Sequence, residues 1–133
     1  MAGETPPSPG DPWNTPRTLA ALYRHFEAVA RAVDLPIIIY NVPSRTGVDL
    51  APRTIERLAE LQNVVGIKDA TGDMGRVSWM RANIGGQFDL ISGDDSSYLG
   101  YHACGGAGLI SVASNVAPEA MVALHNAAQA GDY

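Results

Sequence analysis

Apolar residues follow two alternating patterns along this chain. From Thr18 onward, stretches with an apolar residue every three or four positions alternate with short runs in which every residue is apolar. The first pattern predicts an amphipathic helix over residues 19–33, because that spacing places the apolar side chains on one helical face. The run that follows, Ile37–Tyr40, is typical of a strand that is covered on both faces.

The same alternation recurs down the rest of the chain. Further helices are predicted near residues 52–61, 74–84, 96–104 and 118–130. Between them lie predicted strands at Val64–Ile67, Phe88–Ile91 and Leu109–Val112. Strands joined by single helices predict right-handed crossovers and a parallel sheet, so the fold class is α/β. Four such units make half of a (β/α)8 barrel, which takes about 250 residues. A small doubly wound sheet has the same periodicity, and the pattern alone does not separate the two.

The composition is that of an ordinary globular domain, with 133 residues of which 46% are hydrophobic and 17% charged. A formal net charge of -5 argues against a nucleic-acid partner, since no basic stripe exists to neutralise phosphates. The apolar runs are far shorter than the roughly 20 residues of a membrane-spanning helix, so no membrane association is expected. Cys104 stands alone, which excludes an intrachain disulfide and favours the cytoplasm.

The first 17 residues differ from the rest of the chain. They are polar and contain five prolines. Such a segment buries too little apolar surface to offset the entropy of ordering it. We therefore predict a disordered segment over residues 1–17 and a folded domain over residues 18–133.

Residues with chemical potential fall at the ends of the predicted strands. In parallel α/β folds the carboxyl ends of the strands lie on one rim, so Tyr40, Lys68, residues 92–95 and Ser111 are expected to share it. Lys68 is the main candidate, because partial burial favours the neutral amine that attacks a carbonyl. The ordinary alternative is a lysine that reaches solvent past the strand end.

Two further side chains extend this candidate site. Tyr40 is a candidate proton shuttle, and Arg45 is a candidate clamp for a substrate carboxylate on a turn fixed by Pro43 and Gly47. A tyrosine with a satisfied hydroxyl in the core and a solvated loop arginine are the structural alternatives.

Two other groups of residues suggest a phosphate-binding loop and a metal site, but neither is predicted to form one. The glycines of residues 105–108 precede a strand, whereas a phosphate-binding loop follows one. Asp94, Asp95 and His102 lack the spacing of metal ligands, and turn or capping roles are expected for the two carboxylates.

Four segments, taken together, resemble a known family. They are YNVPSRTG (residues 40–47), GIKDATGD (66–73), SGDD (92–95) and GLISV (108–112). In this order and spacing they resemble the 4-hydroxy-tetrahydrodipicolinate synthase (dihydrodipicolinate synthase) family from about Leu22 to the last residue. The resemblance implies that the chain forms the second half of a TIM (β/α)8 barrel.

The resemblance also assigns roles to five residues. It implies that Lys68 forms a Schiff base with pyruvate, that Tyr40 relays protons and that Arg45 binds the carboxylate of L-aspartate 4-semialdehyde. Gly93 and Ile110 match positions that line the pyruvate pocket, Ile110 through its carbonyl. The implied reaction condenses the two substrates to 4-hydroxy-tetrahydrodipicolinate in lysine biosynthesis by the diaminopimelate route. No cofactor or metal is implied, because the lysine itself is the electron sink.

Alternative functions exist in the same superfamily, which includes N-acetylneuraminate lyase and keto-deoxy-sugar-acid aldolases. Residues 70–73 (ATGD) and 93–95 (GDD) favour the synthase.

The resemblance covers only part of the family's chain. The first four βα units, which carry paired threonines of the proton relay, have no counterpart here, and neither has the helical domain after the barrel. Trp13 stands near the position of a tyrosine that a neighbouring subunit donates. We therefore expect a fragment with little or no activity by itself, whereas full-length members are expected to be homo-oligomers. A non-catalytic α/β module that assembles with a paralogue is the alternative.

Overall fold

The computed structural model describes residues 15–133, which form four βα units preceded by one helix. The helices are α1 (Pro16–Ala32), α2 (Pro43–Thr46), α3 (Pro52–Leu58), α4 (Met74–Ile84), α5 (Tyr98–Ala103) and α6 (Pro118–Gln129). The strands are β1 (Ile37–Asn41), β2 (Val64–Asp69), β3 (Asp89–Ser92) and β4 (Gly108–Leu109). A 3₁₀ turn at Ala113–Asn115 precedes α6.

The four strands form one parallel sheet in the order β1-β2-β3-β4. This order follows the chain without reversal, and the helices other than α2 contact one another in sequence from α1 to α3, α4, α5 and α6. Right-handed crossovers that never reverse direction place all helices on one side of the sheet. A doubly wound sheet needs a reversal to cover its second face. The arrangement is therefore an arc of a barrel, and the predicted α/β fold class is confirmed.

The hydrophobic core lies between the sheet and the helices. Its fully buried members come from strands and helices alike: Ile39, Ile55, Leu58, Ile67, Val77, Met80, Leu90 and Tyr101. On the other face of β1, Ile38 and Tyr40 are 46% and 48% exposed. The prediction that this strand is covered on both faces was therefore wrong for the described residues, because their helices pack against one face only.

Helix termini follow local sequence signals. The Thr15 hydroxyl caps α1 by accepting a hydrogen bond from the Thr18 amide at 3.2 Å, and Pro16 occupies the first turn. This helix begins three residues before its expected start at residue 19. Residues 1–14, and with them most of the segment predicted to be disordered, lie outside the described residues. No helix between residues 15 and 133 is long and apolar enough to cross a membrane.

Two elements near the carboxyl ends of the strands differ from the prediction. The fourth strand was predicted over Leu109–Val112 but ends at Leu109, because the Asp95 carboxylate accepts the amides of Val112 and Ala113 at 3.1 and 3.0 Å. The segment after β1, predicted as a turn, contains the one-turn helix α2. It ends at Gly47, whose φ of 69° is readily adopted by glycine.

Candidate functional site

Lys68 and Tyr40 lie side by side at the carboxyl ends of β2 and β1. The two residues are paired in register across the strands. The Lys68 Nζ atom lies 4.1 Å from the centroid of the Tyr40 ring, and the lysine is half-buried. A cationic head group over a tyrosine face gains about 0.5–1 kcal/mol at an exposed site. The contact therefore holds the amine beside the phenol on the open face of the sheet.

Gly93 lies on the other side of the lysine stem. It follows β3, and its amide donates to the Asp69 carbonyl at 2.8 Å, so the ladder between β2 and β3 continues past the strand end. A Cβ atom at this position would lie 3.0 Å from Lys68 Cε and 3.2 Å from Lys68 Cγ. Because carbon atoms in contact prefer 3.5–4.0 Å, the missing side chain leaves the space that the lysine occupies.

Ile110 and Arg45 lie farther along the same rim. The Ile110 amide donates to the Ser92 carbonyl at 2.9 Å, which extends the pairing of β4 with β3 by one residue, and its side chain is 46% exposed. Ser111 comes just after β4 rather than within it. Arg45 lies on α2 with an exposed side chain, and its guanidinium makes no ion pair with another residue in the 15–133 range. The structure thus brings Lys68, Tyr40 and Gly93 into contact and leaves Arg45 free at the edge.

The loop after β3 carries two carboxylates with structural roles. Asp94 Oδ2 accepts hydrogen bonds from both Ser96 and Ser97, and these bonds hold the pKa of Asp94 below its usual value. The Ser111 hydroxyl and the nearby Ala113 and Val112 amides likewise lower the pKa of Asp95. Among the described residues, no three His, Cys, Asp or Glu side chains are grouped so as to hold a metal ion.

Sequence reasoning did not single out a set of polar side chains on the core side of the sheet. We call Asn41, Asp49, Asp69 and Arg76 the buried polar cluster. Asn41 and Asp69 lie on β1 and β2, Arg76 lies on α4, and Asp49 lies in the loop after α2 and is partly buried. The Asn41 amide donates to Asp49 Oδ1 and to Asp69 Oδ1, each at 2.8 Å, and Arg76 Nη1 donates to Asp49 Oδ2 at 2.8 Å. The available signal was strand alternation, which puts the residue after Tyr40 and the residue after Lys68 on the core side.

Comparison with known proteins identifies this arrangement. The profile of the Dihydrodipicolinate synthetase family matches residues 11–133. The 4-hydroxy-tetrahydrodipicolinate synthase of Hyphomonas neptunium is 60% identical over 113 residues, which are 84% of this chain and 39% of that protein. Its counterpart in Bradyrhizobium diazoefficiens is 48% identical over 122 residues, 92% of this chain and 41% of the relative.

Solved structures agree with the sequence relatives. The crystal structure of dihydrodipicolinate synthase from Aquifex aeolicus superposes with a TM-score of 0.84 at 46% identity, over 86% of this chain and 40% of that one. The Acinetobacter baumannii synthase complexed with pyruvate gives 0.82 at 48% identity with the same coverage. The chain spans about two fifths of the length of these proteins, and its four βα units form the second half of a TIM (β/α)8 barrel. It belongs to the dihydrodipicolinate synthetase family.

Proposed function

We propose that this chain carries the imine-forming part of an active site that condenses pyruvate with L-aspartate 4-semialdehyde to 4-hydroxy-tetrahydrodipicolinate. The contact between the Lys68 amine and the Tyr40 ring, at the carboxyl ends of paired strands, is the observation that carries the proposal. The reaction is the one after which the 4-hydroxy-tetrahydrodipicolinate synthases among its relatives are named. A lone cysteine and a biosynthetic reaction fit the cytoplasm.

The chemistry depends on Lys68 as a nucleophile. Its neutral amine adds to the C2 carbonyl of pyruvate, and the carbinolamine loses water to leave a protonated imine. That cation draws the electron pair of a C3–H bond into an enamine as the proton leaves. The enamine carbon then attacks the aldehyde carbon of L-aspartate 4-semialdehyde. Finally, the amine of that substrate attacks the imine carbon, which closes the ring and releases Lys68.

The neighbouring residues have supporting roles in this proposal. The Tyr40 hydroxyl moves protons to and from the carbinolamine. Gly93 and Ile110 line the space for pyruvate, since Gly93 follows β3, which pairs with the strand of the lysine, and Ile110 follows β4, the next strand of the sheet. The free guanidinium of Arg45 suits a bidentate contact with the carboxylate of the second substrate.

Borohydride trapping with pyruvate, followed by mass spectrometry, tests the proposal. Lys68 is the only lysine in the 133-residue sequence, so a reduced adduct on a lysine peptide identifies the site without ambiguity. The Lys68→Arg variant keeps the charge and is the matched control, and it should trap nothing. A folded protein that gives no adduct on Lys68 would refute the catalytic proposal.

A competing function is that of a non-catalytic module that assembles with another chain. Exposed apolar side chains on the open side of the sheet favour it, since Ile38 and Ile110 are each 46% exposed. Homo-oligomers are proposed for full-length relatives, and the same trapping experiment separates the two functions. A module of this kind would stay unlabelled by pyruvate while it bound a paralogue.

A further inference from the structure

Strand alternation places two kinds of side chain next to each other at the ends of β1 and β2. Tyr40 and Lys68 are paired and lie on the open face, whereas the next pair, Asn41 and Asp69, is buried at 3% and 1% exposure. Tyr40 and Lys68 are therefore each followed directly by a member of the buried polar cluster. The orientation of Tyr40 depends on where the end of β1 is held.

Asn41 holds that end through every polar atom of its side chain. Its amide nitrogen donates to Asp49 and to Asp69, and its Oδ1 accepts the Leu50 amide at 3.1 Å. The Asn41 carbonyl also accepts the Ala70 amide at 2.9 Å. These bonds join the end of β1 to the neighbouring strand and to the far end of the segment that carries Arg45.

Arg76 completes the cluster from α4. Its guanidinium donates to Asp49 and to the Leu50 carbonyl, and its Nε lies 3.7 Å from Asp69 Oδ1. The Thr71 hydroxyl donates to the second Asp69 oxygen at 2.6 Å. Arg76 and Asp69 are buried and Asp49 is partly buried, and breaking one of these charge pairs leaves its partner uncompensated. Asn41 therefore contacts carboxylates that are themselves held by further bonds.

We propose that Asn41 is a positioning residue that fixes the Tyr40 hydroxyl relative to the Lys68 amine. It touches no substrate and acts through Tyr40 alone. β1 has a strand partner on one side only within the described sheet, so its carboxyl end is held by these side-chain bonds as well as by the ladder. The inference rests on the proposed function, since it assigns Asn41 a part in imine formation at Lys68.

A double-mutant cycle tests whether Asn41 acts through Tyr40. The rate of borohydride-trapped adduct formation on Lys68 is measured for the wild type, Asn41→Ala, Tyr40→Phe and the double variant. Because displacements of about 1 Å cost up to about 100-fold in rate, Asn41→Ala should slow trapping about 10-fold. In the Tyr40→Phe background, which lacks the hydroxyl, the same substitution should change the rate less than about 2-fold.

If Asn41→Ala slows trapping equally with Tyr40 and with Tyr40→Phe, its role is a general structural one and the inference is overturned. An unchanged trapping rate in Asn41→Ala would also overturn it. Ile55→Val, a substitution in the core, is the control for destabilisation and should give the same small factor in both backgrounds. If Asn41→Ala does not fold, Asp49→Ala replaces it. That variant removes the acceptor of one of the two hydrogen bonds that the Asn41 amide nitrogen donates. Slowing of about 3-fold, confined to the variants that keep Tyr40, is therefore expected. A folded wild type that traps no pyruvate refutes the proposed function, and this inference falls with it.

Discussion

Replacing Gly93 with alanine tests whether the space beside the Lys68 side chain is needed for its reaction with pyruvate. The new Cβ would lie 3.0 Å from Lys68 Cε and 3.0 Å from the Ala70 Cβ. Carbon contacts relax at about 3.5–4.0 Å, so the lysine stem must move by about 0.5–1 Å. Displacements of that size at a reacting group cost about 10- to 100-fold in rate. The stability cost should stay near 1 kcal/mol, because the lysine stem is flexible.

The assay is the rate of adduct formation on Lys68 under borohydride, with urea unfolding measured on the same samples. Gly86→Ala is the matched control, since a Cβ there meets no atom within 4 Å. It should leave the trapping rate unchanged. If Gly93→Ala traps pyruvate as fast as Gly86→Ala while both are folded, the lysine does not need this space and the assignment of Gly93 is wrong.

Three further substitutions test other contacts. Gly66→Ala places a Cβ 2.7 Å from the Asp89 carbonyl oxygen on the neighbouring strand. Urea unfolding should therefore show a decrease of about 1–3 kcal/mol in the free energy of unfolding. A decrease within experimental error would contradict the close approach. Asp73→Ala removes the carboxylate that caps α4 by accepting the Arg76 amide at 3.1 Å, and should cost about 1 kcal/mol in the same measurement. The pKa of Asp95 is lowered in the folded state. The stability that its ionised carboxylate gives the folded protein is therefore complete above the pKa of the unfolded state, and it is lost as pH falls through the pKa of the folded state. Asp95→Asn should therefore have a lower free energy of unfolding than the wild type near pH 6, and the difference should shrink in acid. A difference that stays constant with pH would exclude this linkage.

Most of the fold follows from the local pattern of the sequence. The helical spacing of apolar residues gave α1, α4 and α6 within three residues at each end, and the continuous apolar runs placed β1, β2 and β3. Because each of these strands ends within two residues of its apolar run, the position of Lys68 beside Tyr40 at one rim followed as well. The spacing of apolar residues was therefore sufficient to predict those helices and strands that bury one face against the core.

Contacts between distant segments could not be predicted in this way. The fourth strand is short because Asp95, 17 residues before Val112, takes an amide that would otherwise extend the ladder. The buried polar cluster likewise joins Asn41 to Arg76 through Asp49, and the spacing of these residues has no helical or strand period. A pattern within one element carries no information about which polar groups meet across the core.

The register of β1 against β2 links the fold to the site. A slip by one residue would move Lys68 to the core side and bring Asp69 to the open face, since successive side chains point to opposite faces. The backbone hydrogen bonds between β1 and β2 do not prevent such a slip at the amino end of β1, where the pairing is already irregular between Ile37 and Ile38. At the carboxyl end, the hydrogen bond between Asn41 and Asp69 forms only in the observed register. The hydrogen bond between Asn41 and Asp69 therefore also keeps Lys68, the only lysine of the chain, on the open face of the sheet.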